Sequence, residues 1–205
     1  MEACHFNFIL VDIFSFIFNR IRIVLQFIRR PFVVELISEV DKNDNFLRLR
    51  DREEFYSGEH IHRAAQLILL NPENKMLIQK RSSKKRWYPN RYTYSVSGTV
   101  ADESYEACMM REMLEEIGIS IPFRKLFKIS CIFENKGAFH TVFSGRCSAK
   151  IANSIRPDPE EAVFVEWIEL EELHRAVRAE PEKYTPSLRA GIIKIFQEGY
   201  GKYFF

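Results

Sequence analysis

The chain has 205 residues, of which 46% are hydrophobic and 28% charged, and it contains only eight glycines and eight prolines. These values are typical of a globular domain and exclude a disordered, collagen-like or low-complexity protein. The net charge of +2 lacks the positive excess of a dedicated nucleic-acid-binding protein, so no nucleic-acid partner is expected. The four cysteines form no CxxC pair, which indicates neither a zinc site nor a disulfide framework and favours a reducing, cytoplasmic location.

The first 33 residues differ in composition from the rest. They hold seven of the eighteen phenylalanines and a surplus of two positive charges, whereas residues 34–205 have no net charge. The stretch 5–28 has the length of a bilayer-spanning segment, roughly 20 apolar residues, but Asp12, Arg20 and Arg22 interrupt it. This composition fits three interpretations of the segment: a marginal membrane anchor, an amphipathic surface helix, or a reading frame that begins too far upstream. We favour the last. We therefore divide the chain into an N-terminal extension, 1–33, and a domain, 34–205. Any contact with a membrane is expected only through the extension.

The pattern after residue 33 predicts interleaved strands and helices. Strands are predicted at 33–40, 62–70, 75–80, 92–96, 125–133, 139–148 and 162–168, and helices at 104–117, 170–178 and 187–197. The turn sequence at 71–74 separates two apolar runs, 62–70 and 75–80, and so predicts a β-hairpin. Because strict βαβ alternation is absent, the sequence predicts an α/β (α+β) domain with a mixed sheet between helices.

The predicted helix 104–117 carries three glutamates close together. With about 100° per residue, Glu112, Glu115 and Glu116 share one arc of this helix. The opposite side is then formed by apolar residues: Met110, Met113, Leu114 and Ile117. Clustered like charges destabilise a helix, so a compensating cation is expected, and oxygen ligands favour Mg²⁺ or Mn²⁺. The alternative is a solvated acidic face with no ligand.

The segment 97–119, SGTVADESYEACMMREMLEEIGI, resembles the Nudix box, G-x5-E-x7-R-E-U-x-E-E-x-G-U with U aliphatic. The matching positions are Glu103, Arg111, Glu112, Met113, Glu115, Glu116, Gly118 and Ile119. The opening glycine falls on Ser97; alternatively Gly98 is the matching glycine and the loop is one residue shorter. The similarity extends over about 36–196. It is carried by four further strings, VDKNDN, HRAAQLILLN, LIQKRSSKKRWYPNRYTYSVSG and PEKYTPSLR, which resemble the Nudix branch that includes isopentenyl-diphosphate isomerase and its hydrolase-like relatives. It implies the Nudix α/β/α sandwich.

The resemblance also implies a function and a set of site residues. It implies a metal-dependent hydrolase that cleaves a diphosphate linkage in a nucleoside diphosphate-X substrate. The implied metal ligands are Glu112, Glu115, Glu116 and, on a later loop, Glu161; the implied catalytic residues are Glu115, Glu116, Arg111 and Glu103, with Arg111 paired to Glu103. We further expect Lys80 and Arg81 to bind phosphates, and Trp87 or Tyr92 to stack on a base.

Two other functions are considered for this family resemblance. In isopentenyl-diphosphate isomerase a Cys and a His stand where this chain has Ser97 and Thr99, and a serine hydroxyl does not easily replace thiol chemistry. A non-catalytic Nudix-like binding module would be expected to lose box glutamates, and all of them are present. Both alternatives are therefore ranked below hydrolysis.

Overall fold

The computed structural model describes residues 34–200, so the predictions made for 1–33 lie outside the described residues. The strands of this part of the chain are β1 Leu36–Val40, β2 Phe46–Asp51, β3 Ile61–Leu70, β4 Met76–Arg81, β5 Tyr92–Thr93, β6 Val96–Thr99, β7 Phe123–Phe133, β8 Lys136–Arg146 and β9 Ala162–Ile168. The helices are α1 Glu54–Ser57, α2 Tyr105–Ile117, α3 Ala149–Ser154, α4 Leu170–Ala179 and α5 Pro186–Gln197, with a 3₁₀ turn at Pro181–Lys183. Over residues 34–200, no helix is long and apolar enough to cross a membrane.

The strands form one mixed sheet with β3 at its centre. β3 pairs in parallel with β8, from Ile61 opposite Gly137 to Leu70 opposite Arg146, and antiparallel with β1 and β6. β4 pairs antiparallel with β5 and with β9, and β7 pairs antiparallel with β8. This arrangement confirms the predicted mixed sheet.

Helices cover both faces of this sheet, as the sequence predicts. One face packs on α2 and α3 through buried residues such as Leu67 and Met113. The other face packs on α4 and α5 through residues such as Ile68 and Ile192. Because β3 is buried on both faces, its sequence is a nearly continuous apolar run rather than an alternating one.

Three helices are preceded by a residue whose side chain caps them: Ser104 before α2, Ser148 before α3 and Thr185 before α5. The Ser104 hydroxyl accepts a hydrogen bond from the Ala107 N–H at the start of α2, and Gly118, with φ of +69°, ends that helix in a left-handed conformation. Thr185 caps α5 in the same way, and Pro186 follows at the first helical position.

The predicted hairpin between β3 and β4 forms only at its base. Leu70 pairs with Met76, and beyond this pair β3 continues beside β6 whereas β4 continues beside β5 and β9. The predicted single strand 92–96 is correspondingly divided into β5, beside β4, and β6, beside β3. The two strands therefore diverge from their shared turn, and the candidate site lies where they separate.

Candidate active site

The buried side of α2 differs from the predicted one. Its buried residues are Cys108, Met109, Met113, Glu116 and Ile117. Met110 and Leu114 are instead 50% and 57% exposed, so the predicted apolar side of the helix is wrong at these two positions. The reason is that the helix is turned so that the Glu116 and Glu112 carboxylates face inward with the apolar residues. Of the three clustered glutamates on this helix, only Glu115 faces solvent.

Glu116 is held by polar groups of two strands. Its Oε2 accepts a hydrogen bond from Nε2 of Gln79 on β4 at 2.7 Å and lies 3.3 Å from the backbone nitrogen of Ser97 on β6. Gln79 also donates to the Ser95 carbonyl oxygen, which fixes its amide. Burial, followed by the charges of Glu112 and Glu161, raises the pKa of Glu116 well above its usual range.

Glu112 lies one helical turn before Glu116 and is also largely buried, with 14% of its side chain exposed. Burial raises the pKa of Glu112 to about 7; the Arg111 charge opposes this rise, and Glu115 and Glu161 add to it. Gly98 leaves the space that this side chain fills, since a Cβ at position 98 would lie 2.2 Å from Cγ of Glu112. The opening glycine of the Nudix box aligns with either Ser97 or Gly98, and this contact favours Gly98.

Arg111 links the loop before α2 to the carboxylates on it. Its Nη2 lies 2.6 Å from Oε1 of Glu103, and its Nη1 contacts Glu112 at 2.7 Å and Glu115 at 3.0 Å. Burial by itself would lower the pKa of the Arg111 guanidinium. The hydrogen bond with Glu103 and the charge of Glu112 outweigh the effect of burial, so the pKa is raised. The structure thus contains the predicted Arg111–Glu103 pair, and the same guanidinium reaches two more glutamates.

The loop before β9 brings the fourth predicted carboxylate to the same region. The Asp158 N–H donates to the Glu116 carbonyl oxygen at 2.9 Å, which ties this loop to the end of α2. Glu161 lines the cavity in front of Glu112 and Glu116, and its carboxylate is paired with Lys85 Nζ at 2.5 Å. Glu161 contributes to the raised pKa values of both helix glutamates, so the three carboxylates are electrostatically coupled.

The carboxylates are suitable ligands for a hard divalent cation, but three of them already form ion pairs with basic side chains of the protein. Within the described part of the chain, no three His, Cys, Asp or Glu side chains are close enough together to hold an ion as they stand. Glu112 and Glu115 are both paired with Arg111, and Glu161 is paired with Lys85. Glu112 and Glu116 are the better fit, because they are buried, adjacent and electrostatically unfavourable to each other without a further cation.

A cavity of about 210 Å³ opens from these carboxylates. Its basic residues are Arg52, Arg81, Lys85 and Lys136, and its aromatic wall includes Phe55 and Trp87. Arg81 donates from Nε to the Trp87 carbonyl oxygen at 3.1 Å, while Nε of Arg52 is buried without a hydrogen-bond partner. Such an orphan donor beside several cations is suited to an anionic ligand.

The structure brings only some of the predicted substrate-binding residues to this cavity. Arg81 and Trp87 line it, whereas Lys80 and Tyr92 do not. Successive strand residues point to opposite faces, so Gln79 faces Glu116 and Lys80 lies on the other side of β4, over the Tyr92 ring at 5.8 Å. Trp87 is stacked on His62, with ring centroids 5.2 Å apart, and also contacts Tyr56.

The cavity is also lined by polar residues that the sequence does not single out. Among them are Arg52, Gln66, His62 and His140. Alternation along β3 indicates that His62 and Gln66 share one face, but His140 joins them only through the parallel pairing of β3 with β8. No local pattern could have revealed that pairing. Burial lowers the pKa of His62 to about 3 and that of His140 to about 4, so both imidazoles are neutral near pH 7.

Comparisons with known proteins agree with this geometry. The model of the NUDIX domain matches residues 60–188. A prenyl-diphosphate phosphatase of Methanosarcina mazei is 74% identical over 170 residues, which cover 83% of this chain and all of that protein. An isopentenyl-diphosphate Delta-isomerase of Dinoroseobacter shibae is 31% identical over 134 residues, or 62% of this chain and 75% of the isomerase.

A solved structure shares the fold. The crystal structure of DR0079 from Deinococcus radiodurans has a TM-score of 0.66 at 24% identity, covering 78% of this chain and 98% of that one. The NUDIX match, 60–188, includes β3 to β9, α2 and most of the residues that line the cavity. The chain therefore belongs to the Nudix family and is a Nudix hydrolase.

Proposed function

We propose that this protein hydrolyses the diphosphate linkage of a prenyl diphosphate, with Mg²⁺ or Mn²⁺ as cofactor, to give a prenyl monophosphate and phosphate. The observation that carries the proposal is the cavity itself, in which buried carboxylates and basic side chains share one space and Nε of Arg52 lacks a hydrogen-bond partner. The 74% identity with a protein named prenyl-diphosphate phosphatase supports this substrate class.

The carboxylates are proposed to hold the cation at the entrance of the cavity. Glu112 and Glu116 would be its first ligands, and Glu115 and Glu161 would join once their ion pairs with Arg111 and Lys85 open. A bound Mg²⁺ or Mn²⁺ neutralises charge on the diphosphate and lowers the pKa of coordinated water. Arg111 would hold the ligand helix in register, because it bridges Glu103 and Glu112 in the structure.

The cationic residues of the cavity are proposed to bind the diphosphate oxygens. Nε of Arg52 is a buried donor that lacks a partner, and Arg81 lies close enough to Glu116 and Glu161 to interact with both charges. Lys85, released from Glu161 when a divalent cation binds, would gain a phosphate oxygen in place of that carboxylate. These contacts recognise the diphosphate and do not depend on the group attached to it.

The attached group is proposed to be apolar rather than a nucleoside, which revises the substrate expected from the sequence. Base stacking was assigned to Trp87 or Tyr92, yet the Trp87 ring is engaged with His62 and Tyr56. Tyr92 contacts Phe164 and Tyr184 away from the cavity. Hydrolysis is also favoured over isomerisation, because the Ser97 hydroxyl donates to the neutral Gln66 amide and so has no base to activate it.

The test is hydrolysis of dimethylallyl diphosphate, isopentenyl diphosphate and ADP-ribose, with Mg²⁺ or Mn²⁺ and with EDTA. We expect metal-dependent release of phosphate and prenyl monophosphate, little reaction with ADP-ribose, and no conversion of isopentenyl to dimethylallyl diphosphate. Glu116→Gln should lower turnover about 100-fold or more, whereas Glu106→Gln, at an exposed position of the same helix, should not. Preference for ADP-ribose, or full activity of the Glu116 variant, would overturn the proposal.

A further inference from the structure

Three side chains on three strands form a hydrogen-bonded chain along the cavity wall. The Ser97 hydroxyl on β6 donates to Oε1 of Gln66 on β3. Nε2 of the same Gln66 amide lies 3.0 Å from Nδ1 of His140 on β8. The Ser97 backbone nitrogen also contacts Glu116, so the chain begins beside a box carboxylate and ends at an imidazole.

The orientation of the Gln66 amide indicates which nitrogen of His140 carries the proton. The Gln66 amide nitrogen has hydrogens and no free acceptor site, so it donates and Nδ1 of His140 accepts. A neutral imidazole that accepts at Nδ1 carries its proton on Nε2. Burial lowers the pKa of His140 to about 4, which keeps the ring neutral at physiological pH.

The second ring nitrogen is free to bind a ligand. Among residues 34–200, no hydrogen bond to Nε2 of His140 is found, and the residue lines the same cavity as Arg52 and His62. A neutral N–H donor in a confined cavity needs an acceptor, and the oxygens of a diphosphate are strong acceptors. Its donation does not require protonation of the ring, so it persists over the neutral pH range.

We infer that His140 is a substrate-binding residue whose Nε2–H donates to a non-bridging oxygen of the diphosphate, and that Gln66 is the positioning residue that holds this tautomer. The inference rests on the proposed function, because it assigns a further donor to the diphosphate in that cavity. Ser97 completes the assignment, since its hydroxyl orients the Gln66 amide.

Steady-state kinetics with dimethylallyl diphosphate and Mg²⁺ test the role of His140 in binding. His140→Phe keeps the ring and removes the donor, and it should raise KM about 10- to 100-fold with a smaller change in kcat. His140→Gln returns an amide N–H near the position of Nε2 and should recover most of that loss. His174→Phe, on α4 outside the cavity, is the matched control and should leave KM unchanged. A lower melting temperature with unchanged KM in His140→Phe would overturn the inference.

A second measurement does not depend on turnover. In ¹⁵N NMR of the full-length protein, His140 should show a protonated Nε2 and an unprotonated Nδ1, and inorganic pyrophosphate with Mg²⁺ should shift the Nε2 resonance. Gln66→Glu should move the proton to Nδ1. A proton on Nδ1 in the unaltered protein, or an Nε2 resonance unmoved at saturation, would overturn the inference. If pyrophosphate shifts Nε2 but prenyl diphosphates are not hydrolysed, the proposed function fails while the role of His140 in binding diphosphate stands.

Discussion

Replacing Glu112 with Gln should change how the stability of the metal-free protein depends on pH. The Glu112 carboxyl is mostly buried, and burial raises its pKa from 4.5 to about 7. Between these two values the folded protein retains a proton that the unfolded chain has released. The free energy of unfolding must therefore fall as pH rises through this window, and it must stay lowered above pH 7.

The size of this effect follows from the size of the pKa difference. One pKa unit is worth about 1.36 kcal/mol, so a rise from 4.5 to about 7 corresponds to an upper value of about 3 kcal/mol. Gln releases no proton, and its side-chain oxygen retains an acceptor for Nη1 of Arg111, which lies 2.7 Å from Glu112 in the structure. We expect the Glu112→Gln variant to match the unaltered protein below pH 5 and to exceed its stability by about 1–3 kcal/mol at pH 8.

Urea denaturation in EDTA at pH 4.5 and pH 8 measures the difference directly. Glu106→Gln is the control, because Glu106 is exposed on the same helix and should leave the pH dependence unchanged. Addition of Mg²⁺ at pH 8 should stabilise the unaltered protein more than the Glu112 variant, since ligand binding to the folded state adds to its stability. A stability gap that is equal at both pH values, or that widens toward acid, would refute the electrostatic account of Glu112.

Three further predictions follow from contacts around the same helix. Gly98→Ala should leave the protein folded but displace the Glu112 side chain and lower turnover about 100-fold, measured with dimethylallyl diphosphate; unchanged turnover would contradict the close contact. Arg111→Lys keeps the charge but cannot bridge several carboxylates, so metal-dependent activity should fall about 10- to 100-fold, and an unaffected Mg²⁺ titration would argue against its role. A protein that begins at Val34 contains all the described cavity residues and should equal the full chain in activity per molecule; aggregation or loss of turnover would assign residues 1–33 to the fold.

The sequence predicts the parts of the structure that depend on residues close together in the chain. The α2 boundaries follow from Ser104 and Gly118, and the Arg111–Glu103 pair follows from the spacing of the box. The strand β2 was not predicted, although its residues Phe46–Asp51 alternate as an edge strand would. The turn sequence predicts the hairpin between β3 and β4. However, β6 takes the place beside β3 that β4 would occupy, and residues close together in the chain do not reveal this pairing.

The polar wall of the cavity depends on contacts between distant parts of the chain. His140 and Gln66 are 74 positions apart, and only the parallel pairing of β8 with β3 brings them together. The inward turn of α2 was missed for a related reason. A helical wheel treats glutamates as solvent-seeking, whereas Gln79 on a separate strand offers Glu116 a buried hydrogen bond. Site residues that break the usual burial pattern are therefore the ones that sequence periodicity misassigns.

The burial of Glu112 and Glu116 is best understood as a cost accepted for function. Two adjacent carboxylates in a poorly solvated site repel each other, and the Glu112 charge adds to the rise in the pKa of Glu116, so without a cation they weaken the fold. The same repulsion makes a divalent cation bind more favourably than it would to solvated glutamates, because the ion removes an unfavourable interaction as well as forming new ones. Glu115 and Glu161 are more exposed, with 57% and 33% of their side chains accessible, and their ion pairs with Arg111 and Lys85 would open when a cation binds. Two buried and two more exposed carboxylates thus give the proposed site a stable position for the ion and a means of releasing Lys85 to the substrate.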